Sequence, residues 1–168
     1  MQVKQEEGMR IVFAIFLIAG WAATAAGQAQ AAGLPFALSI SAEDAVVKPQ
    51  ANLYVNIQMT NTSKHDIDCS GSDIGMLGMD VKYHYDVRDS SGNPVPTRQM
   101  KHPELATGHF RLCTLKPGKT ANSNGNLITK LYDLSQPGKY VIQVSRDVSE
   151  NPIDGMVKSN KITVTVTP

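Results

Sequence analysis

The chain has 168 residues, of which 42% are hydrophobic, 6% aromatic and 18% charged, with 16 Lys and Arg against 15 Asp and Glu. That length suits one ordinary domain, and a net charge of +1 offers no electrostatic footprint for nucleic acid. The charged fraction is low and β-branched residues are frequent, which excludes a disordered chain.

In chain order, the N-terminus reads as a removable leader. Lys4 and Arg10 precede an apolar run from Ile11 to Trp21, and small residues follow through Ala32. A basic start, a short greasy core and a small-residue cleavage region are the layout of a secretory signal peptide over residues 1–31, with cleavage after Ala25 or after Ala31. The stretch from Ile11 to Ala26 holds 16 residues, short of the roughly 20 that a membrane-spanning helix needs. Either Met1 or Met9 is the start, and no Cys stands near the cleavage region to accept a lipid. Cleavage after Ala31 leaves 137 residues with the same net charge and no Trp.

From residue 35 to 168 the dominant period is two. Leu53, Val55, Ile57 and Met59 point one way while Tyr54, Asn56 and Gln58 point the other, which is a half-buried strand. The pattern recurs over Phe36–Ile40, Val81–Val87, Tyr140–Val144 and Ile162–Val166, and more weakly over Phe110–Leu115 and Leu127–Leu131. Turn formers separate these runs: Lys48-Pro49-Gln50, Asn61-Thr62-Ser63, residues 90–94, Lys116-Pro117-Gly118, Gln136-Pro137-Gly138 and Asn151-Pro152. Pro fixes φ, Gly supplies positive φ, and Asn and Ser bond their own backbone, so each cluster ends a strand. About seven strands at this spacing predict an all-β antiparallel sandwich in a single domain over residues 35–168. No window carries a helical period; Pro103–Ala106 offers one turn at most.

Two cysteines, Cys69 and Cys113, survive the cleavage, and export delivers them to an oxidising compartment, where a pair reads as a structural disulfide. A redox-active pair would prefer Cys-x-x-Cys. Further on, Pro137-Gly138 is followed by Tyr140 opening a strand. A tyrosine so placed buries its ring under the turn and bonds its hydroxyl to upstream backbone, as in the tyrosine corner of Greek-key sandwiches.

Taken together, Asn61-Thr62-Ser63 after a strand, Val87–Val95, Leu115–Gly118, Tyr132–Val144 and Val157–Val164 resemble the immunoglobulin-like sandwich modules of secreted bacterial proteins. Similar modules accompany some secreted metallopeptidases and peptidase inhibitors. The resemblance implies a Greek-key fold and is nearly silent on function. The chain departs from antibody domains in lacking a core Trp and in having no Cys in the run that begins at Tyr140.

Chemistry is sparse along the chain. There is no His-Glu-x-x-His, no Gly-x-Ser-x-Gly elbow and no phosphate-cradling glycine loop; His102–His109 has the wrong spacing for a metallopeptidase and a Pro where a helix is required. Asp66, Asp68, Ser70 and Gly71 match positions 1, 3, 5 and 6 of a calcium-binding EF-hand loop, but Leu77 stands where the bidentate Glu belongs. Met76, Met79, Met100, His102 and His109 offer thioethers and imidazoles suited to Cu(I), although Met also fills irregular cores. His84 falls on the outer, solvated face of its strand, and Tyr54 alone among outward aromatics cannot make a sugar platform.

These residues describe an exported, non-catalytic immunoglobulin-like module, secreted or periplasmic. It needs no cofactor and binds another exported protein, without nucleic acid and without a membrane span in the mature chain. The segment from His65 through Asp66, Asp68, Asp73 and Met76 to Met79, tied down by the expected bridge, is the candidate contact loop. A secreted peptidase inhibitor and a periplasmic copper-binding protein are the alternatives.

Overall fold

A computed structural model describes residues 33–74, 79–80, 82–98, 108–149 and 155–168. The expected signal peptide, the turn at Pro103–Ala106 and the calcium-loop position Leu77 lie outside the described residues. The described chain is built from antiparallel strands that pack as a sandwich. One sheet holds β1 (Phe36–Ala42), β3 (Tyr54–Asn61) and β10 (Thr120–Leu127) in the order β1-β3-β10. The facing sheet runs β2-β12-β11-β7, from β2 (Val46–Val47), β12 (Met156–Val166), β11 (Gly138–Asp147) and β7 (Tyr83–Arg88). β2 is the exception to antiparallel pairing: it runs parallel to β12, with Val46 opposite Thr165. A chain that starts in one sheet at β1 therefore crosses to the other within a few residues.

The alternation read from the sequence is what fills the space between the sheets. Phe36, Leu38 and Ile40 of β1 and Val55, Ile57 and Met59 of β3 meet Ile142 and Val144 of β11 and Val164 and Val166 of β12 in one buried cluster. Each such side chain, fully withdrawn from water, contributes about 1.5–3 kcal/mol. Polar groups inside this core are hydrogen-bonded. Asn160 faces Ile40 with both ends of its amide, accepting from the Ile40 N–H at 2.8 Å and donating to the Ile40 carbonyl at 3.0 Å, so it seals the edge of β1 against β12. Ser159, fully buried, accepts from the Val144 N–H at 3.0 Å where the β11–β12 register slips.

Two elements differ from the sequence expectation. Leu127–Leu131 is not a strand: Ile128–Leu131 form one helical turn, α1, held by Ile128 donating to the Leu53 carbonyl and Thr129 accepting from the Leu53 N–H. β10 just before it lacks any apolar alternation, since its sequence is Thr-Ala-Asn-Ser-Asn-Gly-Asn-Leu. It is a strand because β3 supplies a ladder for it, and because Asn126, buried in a β-bulge, satisfies the interrupted backbone by donating to the Val55 and Ser123 carbonyls. Gly125 takes the positive φ of 76° that this bulge requires.

The expected tyrosine corner is in place. Tyr140 is buried at the start of β11, and its hydroxyl donates to the Gln136 carbonyl at 2.7 Å across the Pro137-Gly138 turn. A second tyrosine plays a similar part unforeseen from sequence: Tyr132 donates to the Tyr85 carbonyl at 2.7 Å and ties the chain after α1 to β7.

Candidate functional site

At the end of the sandwich where β3 finishes, Asn61 organises the chain that follows. It is 1% exposed, donates to the His65 and Leu115 carbonyls at 2.7 Å each, and accepts from both the N–H and the hydroxyl of Ser63 at 2.8 Å. Asn61-Thr62-Ser63, which formally matches a glycosylation triplet, is thus a turn in which the Asn61 side chain is buried with both amide protons engaged.

Beyond it, β4 (Ile67–Asp68) pairs with β9 (Thr114–Leu115), and β5 (Gly71–Ile74) pairs with β8 (Gly108–Arg111) and β6 (Met79–Asp80). The pairings from Ile67 opposite Leu115 to Ile74 opposite Gly108 keep one register without insertion, and that register sets Cys69 directly opposite Cys113. The two are joined as a disulfide with Cα atoms 4.8 Å apart, and no described cysteine is free. Cys69 N–H donates to the Cys113 carbonyl at 3.0 Å, while Cys113 N–H donates instead to Ser70 Oγ at 2.9 Å. The expected contact loop is therefore mostly ribbon, closed by a cross-strand staple. The weak alternation at Phe110–Leu115 marks one side of it, which the structure divides between β8 and β9; the other side could not be read, because β4 and β5 are two and four residues long and rich in Gly, Ser and Asp.

The ribbon borders a cleft of about 620 Å³. Its walls come from four places: Pro35 and Phe36 at the start of β1, Ile67 and Asp68 of β4, Lys82 and His84 on β7 and just before it, and residues 146–149 at the end of β11. An ion pair and a histidine–carboxylate contact line it. The Lys82 ammonium lies 3.2 Å from the Asp68 carboxylate, and His84 Nε2 lies 3.1 Å from Asp147 Oδ2. Partial burial alone would raise the Asp68 carboxyl, but the bonds from Ser70 and the neighbouring Lys82 outweigh it and hold it below the usual aspartate value. His84 is exposed, as its outward strand position predicts, and gains a carboxylate partner from the adjacent strand. Arg146 is the most buried of the charged residues that line it, 5% exposed, with its guanidinium 5.3 Å from the centre of the Tyr83 ring and Nη2 donating to the Ser70 carbonyl at 3.0 Å.

Of the expected contact residues, Asp68 lines this cleft, whereas His65 and Asp66 are exposed before the ribbon. Asp73 occupies β5 opposite both Asp80 and His109, and Met79 stands opposite Ile74, in the next row of the same register. Met76, Met100 and His102 lie outside the described residues, and among the described residues no three His, Cys, Asp or Glu side chains gather as a metal site. Sequence reading missed Lys82, Arg146 and Asp147. Their only signal was a pair of charges closing a strand otherwise apolar on its inner face.

No family model matches the chain, and no curated protein does. Among solved structures, Spo0M, a sporulation control protein from Bacillus subtilis, is similar at a TM-score of 0.44 with 10% identity over 80% of this chain and 50% of that one. An alkylpurine DNA glycosylase, AlkC, from Pseudomonas fluorescens matches at 0.42 with 11% identity over 81% of this chain and 31% of its own. A β-glucosidase from Erythrobacter marinus matches at 0.39 with 22% identity over 77% and 15%. The chain spans half or less of each of these structures. Among the described residues no helix is long and apolar enough to cross a membrane.

Proposed function

We propose that this chain is an exported immunoglobulin-like module, periplasmic or secreted, that acts without catalysis by binding another exported protein through the stapled end of the sandwich. The observation that carries the reading is the cleft itself: four separate chain segments converge on it, charged groups line it, and a disulfide fixes the ribbon beside it. Rigid, disulfide-held ends of sandwiches are suited to recognition because little order has to be created on binding. The leader-like residues 1–31 and the oxidised cysteine pair favour an exported location. Strand orders β1-β3-β10 and β7-β11-β12 correspond to the A-B-E and C-F-G orders of immunoglobulin-like sandwiches, and the Tyr140 corner sits where that fold carries one.

Two measurements test this. Expressed with its own N-terminus in a bacterial host, the protein is expected outside the cytoplasm with a mass lacking 25 or 31 residues; an uncleaved cytoplasmic product refutes export. Immobilised protein is then exposed to the exported fraction of the source organism beside a Lys82→Glu, Asp147→Lys variant. A protein retained by the natural chain and lost by the variant is expected; equal retention by both, or none by either, refutes binding through this end.

A further inference from the structure

Arg146 is unlike every other charged residue described in the cleft. Lys82 is matched by Asp68 and His84 by Asp147, so both described carboxylates there are engaged. Among the described residues, none lies within ion-pair distance of Arg146. Yet Arg146 is 5% exposed, at an inward position of β11 directly opposite Tyr83. A guanidinium carries five N–H donors in a rigid fork. The hydrogen bond to the Ser70 carbonyl uses one, and the Tyr83 ring faces the charge without accepting the rest. Withdrawing a cation from water without an anion is unfavourable, and folding tolerates it where another interaction repays the loss.

Resting on the reading of this end as a protein-binding site, we infer that Arg146 is the anchor for a carboxylate side chain of an acidic peptide segment on the partner. The donors of its fork that the Ser70 carbonyl leaves unused match a carboxylate in two parallel hydrogen bonds, the geometry in which Arg binds that group most specifically. Phe36, Ile67 and Val148 line the same cleft and would accept an apolar side chain beside the acidic one. A carboxylate fits better than a phosphate because Asp68 and Asp147 share the cleft and would repel a dianion more than a monoanion.

The test uses the mature, disulfide-intact protein labelled with ¹⁵N, titrated with three hexapeptides that differ only at one site next to Leu: Glu, Gln and phosphoserine. The Glu peptide is expected to shift the Arg146 Nε–H signal saturably, with affinity about tenfold above the Gln peptide and above the phosphoserine peptide. Arg146→Met, which keeps the length and apolar stem, should lose that preference while unfolding at the same or a higher denaturant concentration. Arg146→Lys, a second variant that keeps the charge but not the fork, should retain only part of it. Equal binding of Glu and Gln peptides, an undiminished preference in Arg146→Met, or tighter binding of phosphoserine overturns the inference. If peptides fail while a protein partner is still captured by the natural chain and by Arg146→Met alike, the anchor falls and the protein-binding reading stands. If no partner is captured either, both fall.

Discussion

Removing the staple is expected to cost most of what a domain of this size can spare. Cys69 and Cys113 are separated by 44 residues, and closing a loop of that length lowers the entropy of the unfolded chain by an amount equivalent to about 4 kcal/mol at 25 °C. Domains of this kind are stable by only about 5–15 kcal/mol, so the change is large. The suitable perturbation is the double replacement Cys69→Ala, Cys113→Ala, because Cys69 is 4% exposed and a serine hydroxyl there would add a buried polar group of its own. The folded ribbon keeps its pairing from Ile67–Leu115 to Ile74–Gly108 in the variant, so the loss falls on the unfolded state. In urea, the double variant should therefore show a lower midpoint, and its unfolded chain, freed of the cross-link, should expose more surface and give a steeper transition. Thiol titration of the natural protein, denatured but unreduced, should find no free thiol. A double variant within about 1 kcal/mol of the natural protein refutes the reasoning, since it would mean that the linked segments stay together after unfolding.

Other consequences follow from the same geometry. Asn61→Leu keeps the number of side-chain heavy atoms but abolishes four side-chain hydrogen bonds, and should destabilise by about 2–4 kcal/mol in urea melts, whereas Thr62→Ala at the exposed neighbour should cost under about 1 kcal/mol. Burial first, and then Asp86 for Tyr132 and Asp133 and Asp89 for Tyr140, raise both phenol groups above the ordinary tyrosine value. A raised folded-state value stabilises fully below the unfolded-state value and is lost as pH rises through the folded one, so stability should decline above about pH 10; absorbance titration should show these two tyrosines ionising last, and less steep alkaline loss is expected in Tyr132→Phe. For Asp68 the sign is opposite. Its lowered value makes its contribution present above about pH 4 and lost as acid protonates it, a small effect that Asp68→Asn should remove from the acid limb of a pH–stability curve. Gly125→Ala, which forces a side chain into a φ of 76°, should cost about 1–2 kcal/mol by thermal melt.

Long strands with clean alternation are legible in the amino-acid sequence. β1, β3 and β11 bury every second side chain against a partner sheet, β7 and the Ile162–Val166 end of β12 follow the same alternation with Tyr85 and Ile162 half-buried, and burial is a demand that the residue pattern itself records. The Tyr140 corner was legible for a related reason, since a Pro-Gly turn and a tyrosine two residues on are a local arrangement. β10 was not, because its ladder and its Asn126 bonds come from β3, more than sixty residues earlier in the chain. Of the ribbon, only the weak alternation at Phe110–Leu115 was legible, and the structure divides it between β8 and β9; β4 and β5 are too short to show a period and are defined by partners far along the chain.

By itself, then, the amino-acid order determined the strand class, the turns, the pairing of the only two cysteines and the leader-like N-terminus, all of which depend on neighbours a few residues apart or on simple arithmetic. The cleft was decided only by the tertiary structure. Asp68, Lys82 and Arg146 span 78 residues, and none is unusual where it stands in the chain. Their charges come together because β4, β7 and β11 bring them to the same place in the folded sandwich, and because the fold buries Arg146, a residue that would otherwise stand in solvent.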